Sequence, residues 1–329
     1  MESSAVKKII ILAVVSVSII CCIAYIYWDN NRLTIEEQTI QMDALPKAFE
    51  GFRILQITDL HEKEFGTGQT DLIRKINAQE YDAIVFTGDM LDDPQQSDYT
   101  AFFDLLDGID NKENAYFVPG NTDPDSYVVQ EQRGLEKSAF ILQMEERGVL
   151  LLESVKTIQK EEDTIHFVNF DLASLNPEEG FKAVYGRVGR PVEKETAYLD
   201  YQNQMLEQFS KLNDADEEVL IALSHYPVVD EQMDYLDRFY ALRKNMLILA
   251  GHYHGGQIRL PFIGAPFVPE AWYENGGLFP PRDRVSGLWE YKNTQQYVSA
   301  GLGSSDAVAF LKFRLFNPPQ INLLTLENK

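Results

Sequence analysis

The chain has 329 residues, 45% of them hydrophobic, and a formal net charge of −22 from 29 basic and 51 acidic side chains. That length accommodates one large or two ordinary domains, and that apolar content a substantial core. A surface this acidic repels nucleic acid, and the absence of a Walker A run, a dinucleotide glycine fingerprint or a Gly-x-Ser-x-Gly elbow leaves the corresponding enzyme classes unsupported.

Residues 9–28 hold no charged side chain and are mostly Ile, Val, Leu and Ala. They meet the roughly 20 residues that a helix needs to cross a bilayer. Lys7 and Lys8 precede the stretch, and Asp29 with a single Arg32 follows it, so the positive-inside rule places residues 1–8 in the cytoplasm and the bulk of the chain outside. A cleaved signal peptide is the competing reading. The stretch is long for one, and no small-x-small cleavage site follows. Both cysteines, Cys21 and Cys22, lie inside the segment, so no disulfide staples the remainder. Beyond residue 28 there are 27 basic and 50 acidic residues. Bound cations can reverse such a field within one pocket, which keeps an anionic small substrate open.

Residues 29–50 read as a juxtamembrane linker and a first strand at 34–40, followed by a large domain over 51–329. Strands at 52–58, 83–87 and 115–118 alternate with helical patterns at 69–79 and 99–106, then helix 135–147 and strand 149–152. Such alternation implies parallel βαβ units. A hairpin spans 157–170, turning around 161–163. In it the alternation Ile165-His166-Phe167-Val168 puts His166 on a solvent-facing side. Helix 195–211, strand 219–223, helix 230–243 and strand 246–250 come next, then a Gly-, Pro- and aromatic-rich stretch at 262–287 and strands at 297–300, 310–316 and 321–326.

Five of these strands end in potential ligands. They are Asp59 and His61, Asp89, Asn121, His225, and His252 with His254. Sites in open α/β sheets form outside the carboxyl ends of strands. Two Asp, one Asn and four His without a thiolate suit Mn, Fe or Zn, and they are too many for one ion. Two ions sharing one carboxylate account for the count, an arrangement suited to phosphoryl displacement.

Asp59-x-His61, Gly88-Asp89-x-x-Asp92, Gly120-Asn121-x-Asp123, His225 and Gly251-His252-x-His254 resemble, in order and spacing, the calcineurin-like metallophosphoesterases over about residues 52–326. Within that family the chain is similar to the membrane-associated bacterial branch, where Gly-His-x-His-Gly-Gly-Gln runs into Arg259-Leu260-Pro261. The resemblance implies a four-layer α/β/β/α sandwich of two mixed sheets. It implies one divalent metal on Asp59, His61 and His254, a second on Asn121, His225 and His252, and Asp89 bridging them. Asp89, Asn121, Asp123 and His225 would be the catalytic set, with a hydroxide activated by the ions attacking phosphorus in line.

One position departs from the family pattern. Threonine stands at 122, where the family commonly has histidine, and threonine cannot act as a cationic acid near pH 7. A phosphodiester or pyrophosphate with a good leaving group, such as a lipid or cell-envelope intermediate near the bilayer, needs less proton assistance. A phosphomonoesterase or phosphoprotein phosphatase is the enzymatic alternative, and a metal-stabilised binding module without turnover the non-catalytic one. Asp92 and Asp123 are equally readable as turn or cap residues and as residues that orient ligands. Arg259, Arg282 and Arg284 are candidates for phosphate contact, with surface charge the plainer reading for two of them. Phe262, Phe267, Trp272, Tyr273 and Phe279 read as a lid or an apolar wall, or as satellite packing under a long loop.

Overall fold

The computed structural model describes residues 2–130, 134–174, 196–210, 218–239, 245–305 and 311–329. Helix α1 (Glu2–Asn31) is uniformly apolar through its middle. Its most apolar window reaches a mean hydropathy of 3.0 with none of it buried, as a membrane span or a signal sequence would be. Only Arg32 and Leu33 separate α1 from β1 (Thr34–Met42). Then come β2 (Arg53–Ile57), α2 (Thr70–Asn77), β3 (Ala83–Phe86), α3 (Thr100–Gly108), β4 (Ala115–Phe117), β5 (Tyr127–Gln130), β6 (Gly134–Lys137), α4 (Ala139–Glu146) and β7 (Leu150–Leu151). The second half contains β8 (Val155–Lys160), β9 (Asp163–Asn169), α5 (Phe170–Ala173), α6 (Thr196–Ser210), β10 (Leu220–Leu223), α7 (Asp230–Phe239), β11 (Met246–Ala250), β12 (Gly287–Tyr291), β13 (Thr294–Val298) and β14 (Gln320–Asn328).

Two six-stranded mixed sheets result, in the orders β1-β14-β2-β3-β4-β7 and β12-β13-β11-β10-β9-β8. In the first, β2, β3, β4 and β7 run parallel and β14 antiparallel to β2. In the second, β13, β11, β10 and β9 run parallel, with β12 and β8 antiparallel at the edges. Period-two alternation sorts each strand's side chains between the faces. Ile54, Val85 and Tyr116 of the first sheet meet Phe167, Ile221 and Leu247 of the second in a core between them. Leu55, Ile84 and Phe117 face the other way onto α2, α3 and α4, while Val168, Ala222 and Ile248 meet α7. The central strands are buried on both faces, which is why they read as unbroken apolar runs. These are the four layers expected from the sequence.

Several boundaries differ from the sequence reading. The helix expected at 135–147 starts at Ala139, because residues 134–137 pair as β6 with β5 in a hairpin and Ser138 caps the helix by accepting from Ile141 N. Of the strand expected at 310–316, residue 310 lies outside the described residues. The rest is irregular, with one bridge between Leu315 and Ile258. The last four residues of helix 230–243 and both ends of helix 195–211 also lie outside the described residues. His166 is not solvent-facing. It is 4% exposed, with Thr157 Oγ1 2.9 Å from Nδ1 and Glu218 Oε2 3.2 Å from Nε2. The alternation failed there because β9 is covered on both faces.

Candidate metal centre

The strand ends that carry the motifs lie side by side, β2, β3 and β4 in one sheet and β10 and β11 in the other. Five of the seven expected ligands, Asp59, His61, Asp89, His252 and His254, have φ between 47° and 69°. Left-handed backbone is costly for residues with a Cβ and persists where surrounding structure enforces it. Here the enforcement includes glycine. A Cβ on Gly120 would strike the backbone and carboxylate of Asp89, and one on Gly251 the side chains of Thr58 and Asp59. Only glycine lets the β3 and β4 loops, and the β2 and β11 loops of the two sheets, approach this closely.

The side chains form two groups, Asp59 with His61 and His254, and Asp89 with His225 and His252, each with ligand atoms within 4.8 Å of one another. His225 Nε2 is 3.1 Å from His252 Nδ1 and 3.2 Å from both Asn121 Oδ1 and Asp89 Oδ2. His225 Nδ1 lies 2.9 Å from the Thr87 carbonyl, which can only accept, so Nδ1 carries a proton and Nε2 is the nitrogen that faces the cluster. Oxygen and nitrogen donor atoms thus converge on one point, an arrangement that a cation relieves, and in its absence a proton on Nε2. Asp89 Oδ2 is also 3.6 Å from His61 Nε2, between the groups. His61 Nε2 and His254 Nδ1 are buried without a hydrogen-bond partner, and a bound ion would satisfy a buried ring nitrogen of this kind. The donor set therefore fits two divalent ions.

Supporting contacts fix these ligands. Asp92 Oδ1 is 3.0 Å from His61 Nδ1, and Lys312 holds Asp92 from the other side. Asp59 accepts from Thr58 Oγ1 at 2.9 Å and from His252 N at 3.1 Å. Asp123 is fully buried and touches none of the ligand side chains through a hydrogen bond. Its Oδ2 accepts from Asp89 N and Gly120 N, both at 2.8 Å, and its Oδ1 from Met90 N at 2.8 Å and Leu91 N at 3.2 Å. Asp123 therefore pins the β3 and β4 loops together. Thr122 N donates to Asp89 Oδ1, and Thr122 Oγ1 donates to the Leu91 carbonyl at 2.6 Å.

The charges are mutually dependent. Burial raises the Asp59 carboxyl to about 6 against the lowering effect of His225, while His225 and His61 hold Asp89 well below the carboxylate range despite its burial. Burial alone would lower His225, but Asp89 and Asp59 raise it to about 9. Burial and the neighbouring His225 push His252 down to about 3, and burial with His61 and Arg314 pushes His254 down as well. Neutral imidazoles are the form that binds metal.

The calcineurin-like phosphoesterase family matches residues 52–256. The chain belongs to that family. It is 27% identical to the uncharacterized metallophosphoesterase YkuE of Bacillus subtilis over 92% of this chain and 88% of that one. It is 25% identical to the uncharacterized metallophosphoesterase YkoQ of the same organism, over 88% and 92%. Among solved structures, the phosphopantetheinyl hydrolase PptH of Mycobacterium tuberculosis aligns at 12% identity and a TM-score of 0.41, over 77% of this chain and 91% of that one. Family membership makes the chain a phosphoester hydrolase.

None of the three arginines considered as phosphate contacts reaches this phosphoesterase centre through a hydrogen bond. Arg259 donates to the Gly255 carbonyl and to Ser286, Arg282 to the Phe262 carbonyl, and Arg284 forms a two-point pair with Asp230. The aromatic stretch divides. Tyr273 packs on a small core with Tyr253 and Trp289, while Phe262, Phe267 and Phe279 face outward. Arg314 was not anticipated. It is fully buried and donates to the carbonyls of His254, Ala300, Gly303 and Asn317, tying the His254 turn to the following loop. The signal for it was an arginine set with Lys312 among five apolar residues over 310–316.

Proposed function

We propose that this phosphoesterase is anchored in a membrane by residues 9–28, holds a catalytic domain over 51–329 on the extracytoplasmic side, and cleaves a phosphodiester or pyrophosphate, with a lipid or envelope intermediate as the substrate class. The convergence of Asp89, Asn121 and His252 on His225 Nε2 carries the reading. Asp59, His61 and His254 would hold one divalent ion, Asn121, His225 and His252 the other, and Asp89 both. Nitrogen and oxygen donors without thiolate suit Mn, Fe or Zn. When bound, two such ions neutralise charge developing on phosphoryl oxygens and lower the pKa of water.

The chain's own residues orient and restrict. Asp92 keeps the His61 Nδ1 proton so that Nε2 faces the centre, and the Thr87 carbonyl does the same for His225. Asn121 stands at the exposed rim, where a phosphoryl oxygen enters. Asp123 positions Asp89 through the backbone. The Thr122 hydroxyl spends its proton on the Leu91 carbonyl and has none to give a leaving group, which supports an ester whose leaving group departs unaided. Lys7 and Lys8 before the apolar segment support the orientation.

The test is a comparison of a bis-aryl phosphate diester with an alkyl phosphate monoester, using chelator-stripped protein with manganese restored. The expected result is manganese-dependent turnover of the diester, slow turnover of the monoester, and a monoester rate raised in Thr122→His. An unchanged dependence on leaving group in that variant sinks the assignment of bond type.

A further inference from the structure

Outside α1, eleven large apolar side chains are exposed among the described residues, and six of them lie in one loop: Leu260, Phe262, Ile263, Phe267, Leu278 and Phe279. A seventh, Phe316, lies on the segment bridged to that loop. Phe262 is 95% exposed and Phe279 70%. Single exposed apolar residues are ordinary, but a contiguous group marks a contact surface.

The loop is a built structure. Leu260 bridges Gly264, Phe267 bridges Leu278, and Arg282 donates to the Phe262 carbonyl. Phe262, Phe279 and Phe316 all have left-handed backbone, with φ of 67°, 49° and 54°. That conformation is unfavourable for a bulky residue by about 1–3 kcal/mol. Here it holds three phenyl rings outward, away from any core, a cost that folding alone does not reward.

The loop is joined to the end of α1. Arg259 N donates to the Leu315 carbonyl at 2.9 Å, and Leu315 N to the Gln257 carbonyl at 3.2 Å. The next residues grip the helix. Arg314 N donates to Asn30 Oδ1 at 2.8 Å, Asn30 Nδ2 returns a bond to the Arg314 carbonyl at 2.7 Å, and Asn317 N donates to Asp29 Oδ2 at 3.2 Å. The Phe316 ring lies 5.1 Å from that of Tyr25. Near the same end, the Arg32 guanidinium sits 4.6 Å over the Trp28 ring, a pairing suited to the headgroup level. Helix end and apolar loop thus share one rigid support, residues 314–317. The loop also reaches the turn beside the centre, where the Tyr253 hydroxyl donates to Glu270.

We propose that loop 258–281, with Phe316, is a second membrane contact that seats in the boundary between headgroups and acyl chains of the bilayer that α1 spans. The occupant is lipid, because the surface is continuous with the emerging end of an apolar helix. Burying exposed apolar side chains at such a boundary stabilises the contact, and the exposed Arg282 favours an anionic headgroup, whereas Arg32 is paired with Asp29 at 3.1 Å. The metal centre is then held at the interface, open to a phosphoester that shares the leaflet. The proposal rests on the membrane-anchor reading above and not on turnover.

The test uses the full chain with Cys21→Ser and Cys22→Ser, carrying Phe262→Cys labelled with an environment-sensitive fluorophore, in nanodiscs of phosphatidylcholine and phosphatidylglycerol. Glu161→Cys is the reference. It is an exposed residue in the β8–β9 turn, at the opposite end of the second sheet from the centre. Lipid brominated along its acyl chains is expected to quench the label at 262 at least threefold more than that at 161, with blue-shifted emission. Equal, water-like emission at both positions overturns the proposal and leaves the surface to a protein partner. Failure of the chain to enter nanodiscs overturns the proposal and the anchor together. Loss of hydrolysis with the 262 label still quenched would count against the catalytic reading alone.

Discussion

Replacing Asp123 by asparagine tests whether a buried carboxylate that binds only backbone sets the geometry of the centre. Each Asp123 oxygen accepts two backbone N–H groups, from Asp89 and Gly120 on one and from Met90 and Leu91 on the other. Asparagine keeps the shape but turns one oxygen into an amide nitrogen, which loses two bonds and sets donor against donor. At about 1.5–3 kcal/mol for each hydrogen bond to a charged acceptor, the loss is about 3–6 kcal/mol, toward the upper end for one substitution. At about 2–4 °C per kcal/mol, the lower figure alone shifts the thermal midpoint down by about 6–12 °C. Thermal unfolding of the full-length protein in detergent, followed by tryptophan fluorescence, reads this directly. Calorimetric titration with manganese should show weakened binding as well, since Asp89 and the Gly120 loop lose their common tether. A midpoint within about 2 °C of the unsubstituted protein, with unchanged metal affinity, would refute the reasoning.

Two further predictions concern the ligands. Asp92→Ala leaves His61 Nδ1 without its partner 3.0 Å away, so manganese affinity should fall by about 10–100-fold, and Asp92→Asn, which keeps an acceptor oxygen, by less. Comparable affinities in Asp92→Ala and the parent would show that His61 is oriented by something else. In chelator-stripped protein, Asp89 and Asp59 raise His225 to about 9 from its ordinary 6.5, against the effect of burial. A raised histidine contributes stability that is complete below about pH 6.5 and lost as pH climbs through about 9. The stripped protein's thermal midpoint should therefore drop across that window, and manganese loading within it should release protons. A flat midpoint with no proton release contradicts the assignment.

What the sequence could convey was local. Each motif residue followed an apolar run, and those runs are central strands buried on both faces, so β2, β3, β4, β10 and β11 and the convergence of the candidate ligands at their ends were legible together. The same burial defeated the reading of His166, where alternation on β9 meant two covered faces and not one wet one. Strand β6 was absorbed into the helix expected at 135–147 because Gly134–Lys137 is too short for its period to compete with the apolar pattern of α4. Asp123 and Asp92 were undecidable between cap and orienting group because their partners lie about thirty residues away in neighbouring loops. Arg314 was taken for part of a strand. Its partners are carbonyls from three separate loops, and the left-handed Phe262 and Phe279 lie where no strand or helix periodicity operates.

The central claim is a pair of ions sharing Asp89. The most direct measurement is anomalous diffraction from crystals of the protein loaded with manganese, collected near the manganese edge. Two peaks should appear about 3.5–4 Å apart. One should sit among Asp59, His61 and His254, the other among Asn121, His225 and His252, with Asp89 touching both. A single peak, or two peaks of which Asp89 touches only one, would contradict the account.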